Sequence, residues 1–270
     1  MGAQFVAAGF AYTDGDLAFD PLLLIEEAKV DMYSGVFSYL RAFGLFGKSA
    51  RVDFRVPFQH GRWEGLLNGE PASTERTGFA DLRVRVSLNL FGAPAMKPEE
   101  FPAFYATRKN YTTGGIAFAM SMPLSDYQEE KLINLGTNRF SFRPQAGIVH
   151  TRGKNSYELT ASAFLYTTNE EFFDGNKLEQ APLFAVQAHV VHLISRKYWV
   201  SMGAAYGSGK SATVNGEEKN NRSELNLLAV SFGASISKKS RVGLSVGIGN
   251  TLTTVGSDTT SFGLSYLLAI

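Results

Sequence analysis

The chain has 270 residues, with 26 Lys plus Arg against 25 Asp plus Glu and no Cys, which excludes a disulfide framework and a thiolate metal site. The near-neutral balance offers no bulk field for nucleic acid, and no apolar run reaches the 18 residues of a spanning helix. The 27 Gly beside 21 Phe and 11 Tyr suit strands with small inward residues and aromatic girdles at two membrane interfaces.

Stretches with a period near two, bounded by turn chemistry, predict twelve strands. In chain order they cover 3–13, 28–42, 49–59, 79–91, 113–124, 139–151, 155–167, 183–195, 198–208, 222–236, 240–251 and 259–270. Most reach ten residues, against about five or six for a globular strand and about nine to eleven for a tilted membrane-spanning one. Short turns are predicted at 44–48, 152–155, 196–197 and 237–240, and long polar loops at 14–27, 60–78, 125–138, 168–182, 209–221 and 252–258. With both termini on the short-turn side, every one of these long loops falls at the opposite end, as in outer-membrane barrels with short periplasmic turns and long external loops. Segment 92–110 (GAPAMKPEEFPAFYATRKN) breaks the rule. It is long and Pro-rich on the short-turn side, and reads as a structured periplasmic lobe with one helical turn near 99–105. A plug, or a docking site for a periplasmic partner, is the alternative.

The expected fold is therefore all-β: one domain over 1–270, a transmembrane antiparallel up-and-down β-barrel of 12 strands with both termini periplasmic. A soluble two-domain β protein is its competitor. No signal peptide is visible, since Met1 and Gly2 lead directly into the first strand. An outer-membrane location requires that such a segment has been removed.

Residues 51–59 (RVDFRVPFQ) and 81–90 (DLRVRVSLNL) alternate charged with apolar positions. Odd and even residues of a strand face opposite ways. In a membrane barrel the apolar set meets lipid, while Arg51, Asp53, Arg55, Asp81, Arg83, Arg85 and Asn89 meet a wet interior. The same alternation adds Lys29, Arg41, Arg139 and Arg143 as bases, Asp31 and Glu158 as acids, and Gln187 and His189 as neutral partners. The strands beyond residue 198 contribute mostly Gly, Ser and Ala. An excess of bases in a narrow pore concentrates anions. The alternative is a self-neutralising network in which each cross-strand pair contributes about 0.2–1 kcal/mol. Twelve strands lie between filled barrels of about eight and open channels of about 16–18, so an inward fold of 125–138 would constrict the lumen.

The strings GRWEGLLNGEPASTERTGFADLRVRVSLNLFGAPA (61–95), LINLGTNR (132–139), FSFRPQAG (140–147), TTNEEFFDG (167–175) and LEQAPLFAVQAHV (178–190) occur in an order and spacing that resembles the bacterial meta-pathway of phenol degradation family. The resemblance covers nearly the whole chain. It implies an outer-membrane β-barrel of Gram-negative bacteria, encoded in some cases near genes for degrading aromatic or hydrophobic compounds, with a proposed role in their uptake. The chain departs from the family pattern in having no basic residue near Leu227 and Gly243, and in ending on Ile270 rather than an aromatic. Those departures bear on charge selectivity in the last strands and on the barrel-assembly signal.

Other features point elsewhere more weakly. The string AAYGSGKS at 204–211 fits a relaxed phosphate-loop pattern but lacks the following helix. His60, His150, His189 and His192 show no helical metal spacing, so no metal or cofactor is expected. No local signature supports a catalytic residue, and a lipid-modifying enzyme is only the third reading. The acidic loop 14–27 reads as solvated, with divalent bridging to lipopolysaccharide as its alternative. In 61–69, Trp63, Leu66 and Leu67 read as an interface anchor, or else as the admission point for a hydrophobic ligand. The functional expectation is a channel for passive uptake of small hydrophobic or aromatic solutes, anionic ones included, with outer-membrane lipid as its surroundings. A closed docking barrel is second.

Overall fold

The computed structural model describes residues 2–20, 23–97, 99, 100, 104, 108–219 and 221–270. Its strands are β1 (Gln4–Ala18), β2 (Ile25–Leu45), β3 (Lys48–Leu67), β4 (Glu70–Phe79), β5 (Leu82–Phe91), β6 (Asn110–Met122), β7 (Ser141–Arg152), β8 (Asn155–Tyr166), β9 (Asn169–Phe172), β10 (Asn176–Gln180), β11 (Leu183–Leu193), β12 (Tyr198–Gly209), β13 (Ala212–Val214), β14 (Glu217–Glu218), β15 (Ser223–Ser235), β16 (Ser240–Thr251) and β17 (Gly256–Ala269). The main sheet runs β2-β1-β17-β16-β15-β12-β11-β8-β7-β6-β5-β3-β4, and a further β2–β3 pairing closes it. β3 pairs β5 through residues 50–55 and β4 through residues 58–67. β4 and β5 therefore share one wall position, and the result is a closed barrel of twelve antiparallel positions, as expected.

The rim differs from expectation. Residues 60–78 are not a loop: β3 and β4 extend the wall as a hairpin about Asn68 and Gly69, whose φ values of 54° and 81° are those of a type I′ turn. Loops 168–182 and 209–221 carry β9, β10, β13 and β14, which form a second sheet in the order β14-β13-β10-β9. In it Lys177 Nζ lies 3.2 Å from Glu179 and 3.7 Å from Glu170. The hydrogen bond to Glu179, then the charge of Glu170, hold the Lys177 ammonium above its ordinary pKa. The helical turn expected near 99–105 lies mostly outside the described residues.

The outer face is apolar over the middle of the barrel. Phe10, Phe37, Phe118, Phe184, Met202, Leu228, Leu244 and Leu264 are all exposed on it. Each such side chain gains about 1.5–3 kcal/mol on leaving water, so the belt as a whole selects hydrocarbon as its solvent. Toward the long-loop end the belt stops at Tyr12, Tyr33 and His60, with Tyr33 5.1 Å from Tyr12 and 6.4 Å from His60 between ring centroids. Beyond them the outward positions become ionic. Tyr12 Oη donates to Asp31 at 2.6 Å, while Arg62 pairs with Glu64 and, at 3.9 Å, with Glu75.

This corrects part of the inferred lumen. Lys29, Asp31 and Arg41 stand on the outer face, because β2 continues unbroken through them with the parity of exposed Tyr33 and Phe37. Their charges lie outside the barrel.

Candidate lumen site

Inside, the alternation of β3, β5, β7, β8 and β11 directs long polar side chains to one cavity of about 240 Å3. It is lined by Asp53, Arg55, Arg83, Arg85, Arg143, Gln145, Glu158, Thr160 and Gln187. Antiparallel register places Asp53 opposite Arg85 and Arg55 opposite Arg83. Asp53, 7% exposed, accepts from Arg51 Nε at 3.0 Å. Arg85 Nε donates to Gln145 Oε1 at 3.1 Å. Arg143 reaches two further strands, donating from Nη2 to Ser162 Oγ at 3.2 Å and to Gln187 Oε1 at 3.0 Å.

Two of these arginines also stack on rings that lie inside the barrel. Arg143 sits 4.4 Å over Phe164 and Arg139 sits 4.7 Å over Tyr166, geometries that favour a guanidinium held against an aromatic face. Some of their nitrogens, Arg143 Nε and Arg139 Nε and Nη1, are buried with no hydrogen-bond partner among the described residues. Phe164 and Tyr166 were not singled out from the sequence. Continuing the inward parity of Glu158, Thr160 and Ser162 by two more steps would have found them.

A second chamber of about 550 Å3 shares Arg85, Gln145, Glu158 and Thr160 with the first, and continues among Ser49, Ser87, Asn89, Gly115, Ala117 and Gly147. Arg51 lines it too, but most of these additional positions carry short side chains, which leaves the volume open. His189 lies across the β8–β11 ladder from Glu158 and beside Gly203, where a methyl group would stand 3.1 Å from His189 Cδ2. His189 therefore faces the lumen.

At the long-loop end the chemistry changes. An apolar cavity of about 250 Å3 is lined by Trp63, Leu66 and Leu67 together with Phe19, Ile25, Leu132, Ile133 and Phe173. Trp63 is only 9% exposed and its indole covers Gly61, leaving no room there for a Cβ. It is turned inward, so the reading of Trp63 as a lipid-interface anchor is corrected. Residues 125–138 close one side of this cavity. Arg76 Nε donates to the Ile133 carbonyl at 3.0 Å, which holds that segment against the inner face of the β3–β4 hairpin.

Asp81 serves the same segment rather than the arginine ladder. It occupies the break between β4 and β5, where its carboxylate accepts from Ser125 Oγ (2.8 Å), Thr137 N (3.0 Å) and Thr137 Oγ1 (2.8 Å). Its charge is thereby committed to the loop, and of Asp53 and Asp81, the acids of the two alternating stretches, only Asp53 forms an ion pair with a ladder arginine among the described residues. The 204–211 string is β12 running on toward β13, with no helix to make a phosphate loop. Among the described residues no group of three His, Asp or Glu side chains is placed to hold a metal ion.

The family model described as Putative MetA-pathway of phenol degradation matches residues 10–266, and the chain belongs to that family. In fold it is similar to an outer membrane channel from Pseudomonas putida F1, with a TM-score of 0.82 and 18% identity over 100% of this chain and 96% of that one. It is less similar to the transport unit of the autotransporter AIDA-I from Escherichia coli, with a TM-score of 0.57 and 8% identity over 99% and 90% of the two chains. The beta domain of the Bordetella autotransporter BrkA gives a TM-score of 0.53 and 8% identity over 100% of both. No curated protein matches the chain.

Proposed function

We propose that this member of the phenol-degradation family is a passive channel of the Gram-negative outer membrane, admitting small hydrophobic or aromatic solutes through a partly basic lumen. The observation that carries this reading is the apolar cavity around Trp63 at the long-loop end, set above a polar, water-compatible interior. A buried indole among apolar side chains suits a solute with an apolar body, which leaves water there before passing the barrel. The apolar belt on the outer wall supports a membrane setting, and the fold shared with an outer membrane channel supports that membrane and that role.

Hydrophobic solutes cross simple lipid vesicles unaided, so the test uses intact cells, whose lipopolysaccharide leaflet slows them. Uptake of radiolabelled naphthalene should be faster in a Gram-negative host carrying the barrel than in the same host without it. Trp63→Ala should lower the initial rate about tenfold, equivalent to about 1.4 kcal/mol, while the protein still shifts on unheated gels as a folded barrel. Equal uptake with and without the barrel would sink the channel reading.

A further inference from the structure

The 240 Å3 cavity presents four guanidinium groups, Arg55, Arg83, Arg85 and Arg143, against two carboxylates, Asp53 and Glu158. One of those carboxylates, Asp53, is already held at 3.0 Å by Arg51, an arginine outside the cavity lining. The other, Glu158, accepts from the Thr160 hydroxyl at 3.2 Å. Among the described residues neither Arg55 nor Arg83 makes an ion pair or hydrogen bond, yet the register sets them directly opposite one another. Like charges facing across a ladder repel, and a narrow lumen with low-dielectric walls screens them poorly. The barrel thus spends stability to keep two adjacent guanidinium forks turned to the same space, and Arg143 adds a third, fixed by Phe164, Ser162 and Gln187.

We infer that this cluster is a binding site for the carboxylate of an amphipathic organic anion. The inference rests on the channel reading and names the class of solute passing through it: a small acid with an apolar body and one planar anionic head. A carboxylate matches the fork of a guanidinium two bonds at a time, and it removes the Arg55–Arg83 repulsion on arrival. The cavity is smaller than the roughly 300–1,000 Å3 of sites for drug-sized ligands, which limits its occupant to a single-ring or short-chain acid. The apolar cavity near Trp63 takes the body of the same molecule first, and the neighbouring 550 Å3 chamber leaves room beyond.

The experiment compares benzoate with benzyl alcohol, nearly the same shape without the charge, by calorimetric titration of the detergent-solubilised full chain. Benzoate should bind at least tenfold more tightly than the alcohol, and that preference should shrink as salt rises. Arg55→Gln/Arg83→Gln should abolish it, and Arg143→Gln alone should weaken it, whereas Arg62→Gln, on the outer rim, should leave it intact. In planar bilayers under a KCl gradient the unaltered barrel should favour chloride, and the double variant should lose that bias. Equal binding of acid and alcohol, or full benzoate affinity in the double variant, would overturn the site. Naphthalene uptake decides the channel reading separately. Uptake without benzoate preference removes this inference alone, and benzoate preference without uptake removes the channel but not the site.

Discussion

From β3 to β11 the inner wall carries Arg51, Asp53, Arg55, Arg83, Arg85, Arg143, Glu158 and His189, whereas from β12 to β17 it carries Ser201, Gly203, Gly233, Gly243, Ser245, Gly247 and Gly263. The first wall is shaped by side chains that must be held in place by one another, as Arg143 is by Ser162 and Gln187. The second is shaped largely by the backbone itself, although Trp199, Leu225 and Leu227 share its inward parity. Trp199 of β12 lies over Gly233 of β15, a cross-strand position that only a residue without Cβ leaves free. A Cβ on Gly207 would likewise stand 3.3 Å from Leu183 of β11 and Leu225 of β15. One closed sheet thus carries a wall rich in charged side chains and a wall rich in Gly and Ser.

The two walls should fail differently when altered. The largest loss is expected from Asp53→Asn, which takes a carboxylate away from Arg51, its ion-pair partner, and from Arg85, its register partner. Breaking a fully buried pair costs about 3–5 kcal/mol, and with Arg51 40% exposed about 2–3 kcal/mol is expected, read as a lower urea midpoint in micelles. On the wall rich in Gly and Ser, Gly233→Val drives a branched side chain into the Trp199 ring, and overpacking of this kind costs about 1–3 kcal/mol. Here the emission of Trp199 should shift as well, which separates displacement of the indole from a general loss of stability. If Asp53→Asn proved harmless while Gly233→Val did not, the charged wall would be held by packing too, and the contrast would collapse. The smallest effect belongs to neither wall. Arg62→Gln removes exposed rim pairs with Glu64 and Glu75, and surface pairs of this sort contribute within about 1 kcal/mol.

The barrel was legible in the sequence because lipid outside and water inside impose opposite chemistry on alternate residues, and β5 (LRVRVSLNL and Phe91) or β16 (SRVGLSVGIGNT) shows that rule without interruption. The rim was not legible. β4 (EPASTERTGF) has no apolar face, since outward Glu75 stands above the belt where lipid no longer selects, and its strand character comes from pairing with β3. The Asn68-Gly69 pair was the available signal. The small sheet of β9, β10, β13 and β14 joins two loops some thirty residues apart, a contact that no local pattern reports. Within the site, parity placed Arg51, Asp53, Arg55, Arg83, Arg85, Arg143, Gln187 and His189 on the inner wall because each lies within an unbroken strand. Asp81 escaped the rule because the strand stops at Ala80 and Asp81, where the side chain is free to turn to a loop.

The closure of the wall by β1 and β17 has a temporal side. These strands pair from Phe5 opposite Ala269 to Ala18 opposite Gly256, and Thr13 Oγ1 lies 2.8 Å from Ser261 Oγ across 248 positions of chain. The earliest strand to be synthesised thus waits for the last to arrive. Until then two rows of backbone donors and acceptors stay open, which hydrocarbon does not tolerate.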